Sequence, residues 1–391
     1  MVGAHPSNIA MLCACSAALT GVICHYAASI GRAAQLMDKP DGALKLHKTA
    51  TPVVGGLAAL LPTFFVSLFY WTSVAHAPAM LFTVTAATTM LIIGMIDDRA
   101  NLSPWWRLLA LILIVWVVFL LKPVFVLHTL PIDFFGGHLL LALDGWIAAP
   151  VTALFIIGFV NAANMADGIN GQLLGSVTVW CIFIAYYQGI EVGLPFLALA
   201  SSALVASIYN LRGRLFAGNS GAYSASLFVA LGAIAAYRLP GAKMSAEIPV
   251  FWFWLPVLDC VRLMVGRLLS GRSPFAGDRN HFHHLLTRTM RAGYAVAIYL
   301  ALLAAPGAAA IIGLTWANAV LIICIGCYGA FVFLQHRMSE PRRIERPIFA
   351  ITSRLRAVFL NISSSTARRQ AAVQPETLIQ EVAKRSARRA G

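Results

Sequence analysis

The sequence predicts an all-α, polytopic integral membrane protein with about eleven transmembrane helices. Three observations predict it. Of the 391 residues, 59% are hydrophobic and only 11% are charged, against about a quarter charged in a soluble domain. Apolar stretches of about 20 residues recur along the chain, each long enough to cross a hydrocarbon core of about 30 Å as a helix. The Lys and Arg residues also gather in alternate connecting loops, as they do when one set of loops stays in the cytoplasm.

The predicted spans run approximately 9–29, 53–74, 77–96, 106–127, 145–163, 173–190, 193–210, 220–237, 248–268, 293–313 and 316–335, the fifth and eighth being the weakest by pattern. With the N-terminus outside, the inner loops, the inner ends of the spans and the tail hold 25 of the 29 Lys and Arg, and Lys122, Arg238 and Lys243 lie toward the outer face. An odd number of spans then places the C-terminus in the cytoplasm. The formal charge of +14 therefore reflects topology and anionic lipid rather than nucleic acid, which is excluded as a partner. The seven cysteines all fall in predicted spans, which argues against a disulfide framework or a zinc site. The first apolar stretch lacks a basic n-region and is expected to remain as a helix rather than to be a cleaved leader.

The spans define a membrane domain over 1–337, followed by a basic cytoplasmic tail over 338–391. Within the tail, 347–360 alternates Ile348, Phe349, Ile351, Leu355, Phe359 and Leu360 with Arg354 and Arg356, the pattern of a helix lying in an anionic interface. The last stretch is expected to be disordered.

Polar groups in a membrane protein are costly unless paired or wet, so their positions carry the chemistry. Of fifteen acidic residues, seven cluster at the inner face. Asp97 and Asp98 close the third span. Neighbouring carboxylates repel, and they suit a hard cation bound through oxygen that also meets substrate phosphates. Read alone, the pair would serve equally well as the polar end of a surface helix. Asn161, Asn164, Asp167 and Asn170 recur at steps of three, placing amide and carboxylate oxygens along one helical face, with Gly168 and Gly171 allowing close backbone approach. Arg212 and Arg214 precede the turn Gly218-Asn219-Ser220-Gly221, a helix start that could receive a phosphate.

Asp278, Arg279, His281, His283 and His284 share the loop between spans nine and ten. Zinc is the weaker reading there, because no thiolate completes a tetrahedral set and Arg279 would oppose the ion. Donors for sugar hydroxyls or a diphosphate explain the loop better. Lys45 and His47, with Lys39 and Lys48, make the first inner loop basic, ending in Pro52 and Gly55-Gly56. These cations could receive a lipid phosphate or simply anchor the inner face.

Taken in order, these elements resemble the polyprenyl-phosphate N-acetylhexosamine-1-phosphate transferases, the family that also contains the bacterial phospho-muramoyl-pentapeptide transferase. The resemblance covers about residues 37–288 and rests on Asp38-Lys39-Pro40, Lys45-Leu46-His47, Pro52 to Gly56, Asp97-Asp98, Asn161 to Gly168, and Asp278 to His284. The last motif is similar to the branch that starts surface polysaccharides. The resemblance implies attack of a lipid-phosphate oxygen on the β-phosphorus of a UDP-sugar, giving polyprenyl-diphosphate-sugar and UMP.

It implies Asp97, Asp98 and Asp167 as catalytic residues and, with Asn219, as ligands of Mg²⁺, with Mn²⁺ as the alternative. The two adjacent carboxylates are read first as organisers of metal and nucleophile, and second as a general base. Substrate contacts would come from Lys45, His47, Asn161, Asn164, Asn170, Arg212, Arg214, Asp278, Arg279, His281, His283 and His284. Two positions depart from the family pattern, Asn170 and Asn219 standing where carboxylates are common. At position 219 the amide brings no charge, so metal affinity should be weaker.

The implied setting is a bacterial inner membrane with the active site on its cytoplasmic face, the partners being a polyprenyl phosphate, a UDP-sugar and the bilayer. A homodimer is one candidate assembly. The competing classes are a transporter or flippase, and a family member without catalysis. Against the former, Asp259 is the exceptional acid within a span and Arg262 stands three residues on, whereas transporters place ionisable groups near the midplane.

Overall fold

The computed structural model describes residues 6–40, 49–70, 78–134, 137–238, 244–273 and 279–339. It divides into two units, Met1–Tyr328 and Gly329–Gly391. Of the second, only the end of the last helix is described, so the predicted interfacial segment 347–360 and the rest of the tail lie outside the described residues.

Every predicted span falls on a helix, and the chain is a multi-pass all-α membrane protein. The helices are α1 (Pro6–His25), α2 (Ala27–Ala33), α3 (Gly55–Tyr70), α4 (Pro78–Ala100), α5 (Pro104–Leu121), α6 (Ala148–Ala166), α7 (Gln172–Gln188), α8 (Leu194–Leu211), α9 (Gly218–Tyr237), α10 (Glu247–Leu269), α11 (Phe282–Thr289), α12 (Ala292–Ile312) and α13 (Leu314–Ser339). Among the described residues nine are long and apolar enough to cross a bilayer. The other two that match predicted spans, α3 and α7, have 16 and 17 residues, or roughly 25 Å of rise. The pattern did not separate α2 from α1, and it missed α11, which at eight residues is too short to register as a span.

It also missed a hairpin. Strand β1 (Met37–Asp38) pairs with β2 (Thr51–Pro52), and β3 (Thr129–Phe134) pairs antiparallel with β4 (Gly137–Ala142) in the register Leu130↔Leu141. The second pair is tied down at the end of the bundle where α9 stops and α10 starts. Tyr237 donates from its hydroxyl to Thr129 O (2.8 Å), and Glu247 accepts from the Asp133 amide (3.1 Å).

The eighth span is weak in the sequence because α9 does not face lipid. Its mean hydropathy is the lowest of the nine, yet 89% of it is buried, against 22% for α5. Small residues let it sit at the centre. A Cβ on Gly56 of α3 would lie 2.3 Å from the Gly221 backbone of α9, and one on Gly94 of α4 would lie 2.4 Å from Ser220 Cα. Backbones approach this closely only where side chains are absent, as in tight membrane helix pairs. Ser224 Oγ reinforces the α9–α4 contact by donating to Ala87 O (2.6 Å), and Thr20 Oγ1 joins α1 to α3 through Ala58 O (3.0 Å).

A bulky residue at the α3–α9 crossing has nowhere to go. Gly56→Leu is expected to lower stability by at least about 1–3 kcal/mol, read as a lower melting temperature in detergent. Gly158→Leu, where nothing lies within 4 Å of a Cβ, should leave the melt unchanged, and equal melts for the two variants would refute the close crossing.

Candidate active site

Described parts of all five sequence elements meet at one end of the bundle, at the C-terminal ends of α4, α6 and α8 and the N-terminal ends of α3, α9 and α11. Asp98 is the centre. Its Oδ1 accepts the Asn219 amide (2.8 Å) and its Oδ2 the Ser220 amide (3.0 Å), so a carboxylate on α4 satisfies the first free N–H groups of α9 and meets the positive end of its dipole. Gly218 makes room for this. Its φ is +75°, and a Cβ there would fall 2.6 Å from Asp98 Oδ2 and 2.3 Å from Val53, so glycine is required on both grounds.

Neighbouring positions on a helix point about 100° apart, and Asp97 therefore faces elsewhere. It is 1% exposed and paired with Arg107 Nη1 at 3.0 Å. The two adjacent carboxylates thus do different things. Asp97 joins α4 to α5, and Asp98 faces the turn before α9.

The turn before α9 is itself held in place by the first inner loop. The Phe216 amide donates to Pro52 O (2.9 Å), Gly55 donates to Phe216 O (2.8 Å) and Gly56 to Ala217 O (3.0 Å). The Pro-x-x-Gly-Gly segment is a short backbone zipper beneath the Asp98 site. Lys45 and His47 of the same loop lie outside the described residues, as does Asp278.

Asp167 follows the last residue of α6 with non-helical angles (φ −76°, ψ 63°). Burial first and the charge of Asp98 second raise its carboxyl to about 7, which places the two acids within electrostatic reach of each other. The remaining polar residues of that stretch diverge. Asn161 Nδ2 turns back to Ile157 O (2.8 Å), Asn164 Nδ2 reaches the Tyr223 hydroxyl (3.4 Å), and Asn170 lies opposite Gly213. The step of three survives for Asn161 and Asn164 on the helix and is lost after Asp167, where the helix ends.

Asn210 was missed by sequence reasoning. Its Oδ1 accepts the Gly171 amide and its Nδ2 donates to Leu215 O (2.8 Å), so one amide side chain joins the α6–α7 turn to the α8–α9 turn. Arg107 and Tyr223 were missed as well, since neither stands in a motif. Arg212 and Arg214 are exposed on the loop after α8, and Arg214 borders a cavity of about 320 Å³ with His25, Thr49, Thr51 and Tyr209.

Helix α11 closes the site from the other side. His283 is 1% exposed, and a Cβ on Gly168 would lie 1.9 Å from its Nε2, an atom with no hydrogen-bond partner. Burial and the adjacent imidazoles push His283 down to about 3, and burial lowers His284 also, so neither is a cation at neutral pH. The rings of His281 and His283 stack with centroids 5.5 Å apart. His281 Nδ1 meets Asp259 Oδ2 at 2.9 Å. The Arg279 carbonyl accepts from Arg288 (2.8 Å). Among the described residues no group of three or more His, Cys, Asp or Glu side chains is gathered to hold a metal ion.

The chain is similar to an undecaprenyl-phosphate α-N-acetylglucosaminyl 1-phosphate transferase of Yersinia pestis, with 30% identity over 272 residues that cover 66% of this chain and 70% of the relative. The same-named protein of Escherichia coli K12 is 28% identical over 302 residues, covering 70% and 74%. Residues 79–237 match the model of glycosyl transferase family 4. The chain belongs to that family. The segment matching family 4 contains Asp97, Asp98, Asp167, the asparagines, Arg212, Arg214 and Asn219, whereas the histidine-bearing α11 lies beyond it.

The contact between His283 and Gly168 gives a direct test of how α11 docks. Gly168→Ala should lower the melting temperature because its methyl meets an imidazole, and adding His283→Ala should restore part of the loss by vacating the space. A double variant no more stable than Gly168→Ala alone would show that the ring does not rest on the turn.

Proposed function

We propose that the chain transfers N-acetylhexosamine 1-phosphate from a UDP-sugar to undecaprenyl phosphate, releasing UMP and starting a cell-surface glycan. The observation that carries this reading is the meeting of the ends of α4 and α6 at α9, where Asp98 accepts two amides of the turn, Asn164 reaches Tyr223 and the charge of Asp98 acts on Asp167. The Yersinia and Escherichia relatives, named for that reaction, support it. The 25 Lys and Arg of the inner loops, inner span ends and tail favour the cytoplasmic leaflet of the inner membrane as its location.

The residues fit a divalent cation. Mg²⁺ is held by one or two carboxylates together with substrate phosphates and water rather than by a complete protein cage, and Asp98 and Asp167 supply two mutually repelling carboxylates. Asp97 is committed to Arg107, and the Asn219 contact to Asp98 is made by its backbone. Asp98 and Asp167 would therefore hold Mg²⁺, or Mn²⁺, and the cation would offset charge on the diphosphate.

The acceptor is a phosphate monoester with a second pKa near 6, mostly dianionic at neutral pH, so its oxygen attacks with little help from a base. A new P–O bond forms to the β-phosphorus as the bond to the α-phosphate bridging oxygen breaks, and UMP leaves with that oxygen. Positioning and electrostatics supply most of the catalysis in such transfers. Asp98, fixed by two amides, would lie where that charge gathers. Arg212 and Arg214, exposed on the same face, would receive phosphate oxygens in the forked geometry that guanidinium favours.

Purified protein given undecaprenyl phosphate, Mg²⁺ and a panel of UDP-N-acetyl sugars, UDP-GlcNAc first, should release UMP only when both substrates are present. Asp98→Asn and Asp167→Asn should each lose roughly 10²–10³-fold in rate. Release of UMP without the lipid, or wild-type rates in both variants, would reject the reaction.

The pH dependence has a defined sign. With the Asp167 carboxyl at about 7, it is ionised above that pH and protonated below it, and a bound cation must displace the proton. The Mg²⁺ concentration for half-maximal rate should therefore rise as pH falls below 7, by up to roughly tenfold per unit for one displaced proton. A half-maximal Mg²⁺ concentration that does not change between about pH 6 and 8 would exclude Asp167 as the ligand.

A further inference from the structure

One carboxylate that the proposed reaction does not use collects five donor contacts. Asp259 is 4% exposed on α10. Its Oδ1 accepts Arg262 Nη2 (2.8 Å), the Tyr328 hydroxyl (2.8 Å) and the Phe282 amide (3.2 Å). Its Oδ2 accepts the same Phe282 amide (3.1 Å) and faces His281 Nδ1 (2.9 Å). Arg262 is itself pinned, with Nε donating to the Tyr328 hydroxyl (2.7 Å) and Nη2 to the Asn280 carbonyl (2.6 Å). The Tyr328 ring packs on Phe282 with centroids 4.9 Å apart.

From this geometry we infer that Asp259 is a positioning residue: it fixes the ring of His281 with Nδ1 protonated and Nε2 turned outward, and it caps α11 from a neighbouring helix. The tautomer follows from the donors. A carboxylate surrounded by N–H and O–H groups can only accept, so Nδ1 must carry a proton and Nε2 is the nitrogen left for substrate. The cap follows from the Phe282 amide, the first inside α11, whose own flanking residue His281 makes no side-chain cap. An acidic group at that position satisfies a free N–H and meets the helix dipole.

Both effects act on one short helix. Because α11 also carries His283 against Gly168, a shift of α11 moves the wall of the Asp167 turn. Arg262 and Tyr328, from α10 and α13, hold the carboxylate's first oxygen and leave the second for the imidazole. Partners of this kind that orient an active-site histidine typically cost about 10- to 100-fold when removed.

The consequence for turnover rests on the transferase reading above, so the test has an arm that does not. Asp259→Asn should cut kcat/KM for the UDP-sugar by about 10- to 100-fold, and the loss should not multiply with His281→Ala. The double variant should lie within about fivefold of His281→Ala alone, because without the ring there is nothing to orient and only the cap on α11 is left to lose. Tyr328→Phe, which leaves the carboxylate but removes one donor, should give a smaller loss of the same kind. Multiplying losses, or an Asp259→Asn enzyme within twofold of wild type, would overturn the assignment.

Independently of turnover, amide hydrogen exchange over residues 279–289 should quicken in Asp259→Asn, by roughly fivefold for a lost cap. Unchanged exchange there would overturn the capping role even if the wild-type protein transferred no sugar phosphate, a result that would instead refute the reading of the reaction.

Discussion

The end of the bundle that holds the candidate site depends on one contact, the Asp98 carboxylate on the second and third amides of α9. A helix that starts inside a membrane protein leaves N–H groups that lipid cannot satisfy. Here an acid from α4 satisfies them, and the bond locates that acid beside the turn before α9. The close crossings at Gly56 and Gly94 then determine how deep α9 lies. With α9 fixed, the backbone zipper from Pro52 to Gly56 fixes the loop that precedes it, and Asn210 carries the same register to the α6–α7 turn.

The chemistry of the site follows from how its charges are separated. Three acids from two helix ends in a poorly hydrated place would repel one another. The bundle neutralises Asp97 with Arg107, leaving Asp98 and Asp167 to share the site. Removing one side of a buried pair such as Asp97–Arg107 costs roughly 3–5 kcal/mol, so that pair belongs to the scaffold as much as to the site. Burial first, and the residual repulsion from Asp98 second, hold the Asp167 carboxyl near 7.

The histidines show the same economy of charge. His283 and His284 are kept neutral by burial and by neighbouring positive groups, His281 acting on both, and His281 is oriented by Asp259. Three imidazoles close in sequence therefore take different parts. His283 packs against a glycine turn, His281 is held to a carboxylate and stacks on His283, and the His284 ring is tilted against His283. A basic loop that reads as a set of interchangeable donors is, once folded, a docked helix with a defined outward nitrogen.

The sequence by itself determined the class of protein and marked the candidate residues for its chemistry. Hydrophobic length and the Lys and Arg bias are one-dimensional consequences of the bilayer, so all nine helices that are long and apolar enough to cross it, among the described residues, were legible. The acids and amides at their ends were legible for the same reason, since lipid permits polar groups in few places. Tertiary structure alone decided what each polar group meets. Asp97 and Asp98 are indistinguishable as a motif, and only the 100° step of α4 sends one to Arg107 and the other to α9. The hairpin at 129–142 and the short α11 stayed hidden because neither is long or apolar enough to stand out from a loop. Asn210, Tyr223 and Tyr328 were hidden because they meet partners far away in sequence, and Arg107 because its partner Asp97 stands across the turn from α4 to α5, so no local pattern records the contact.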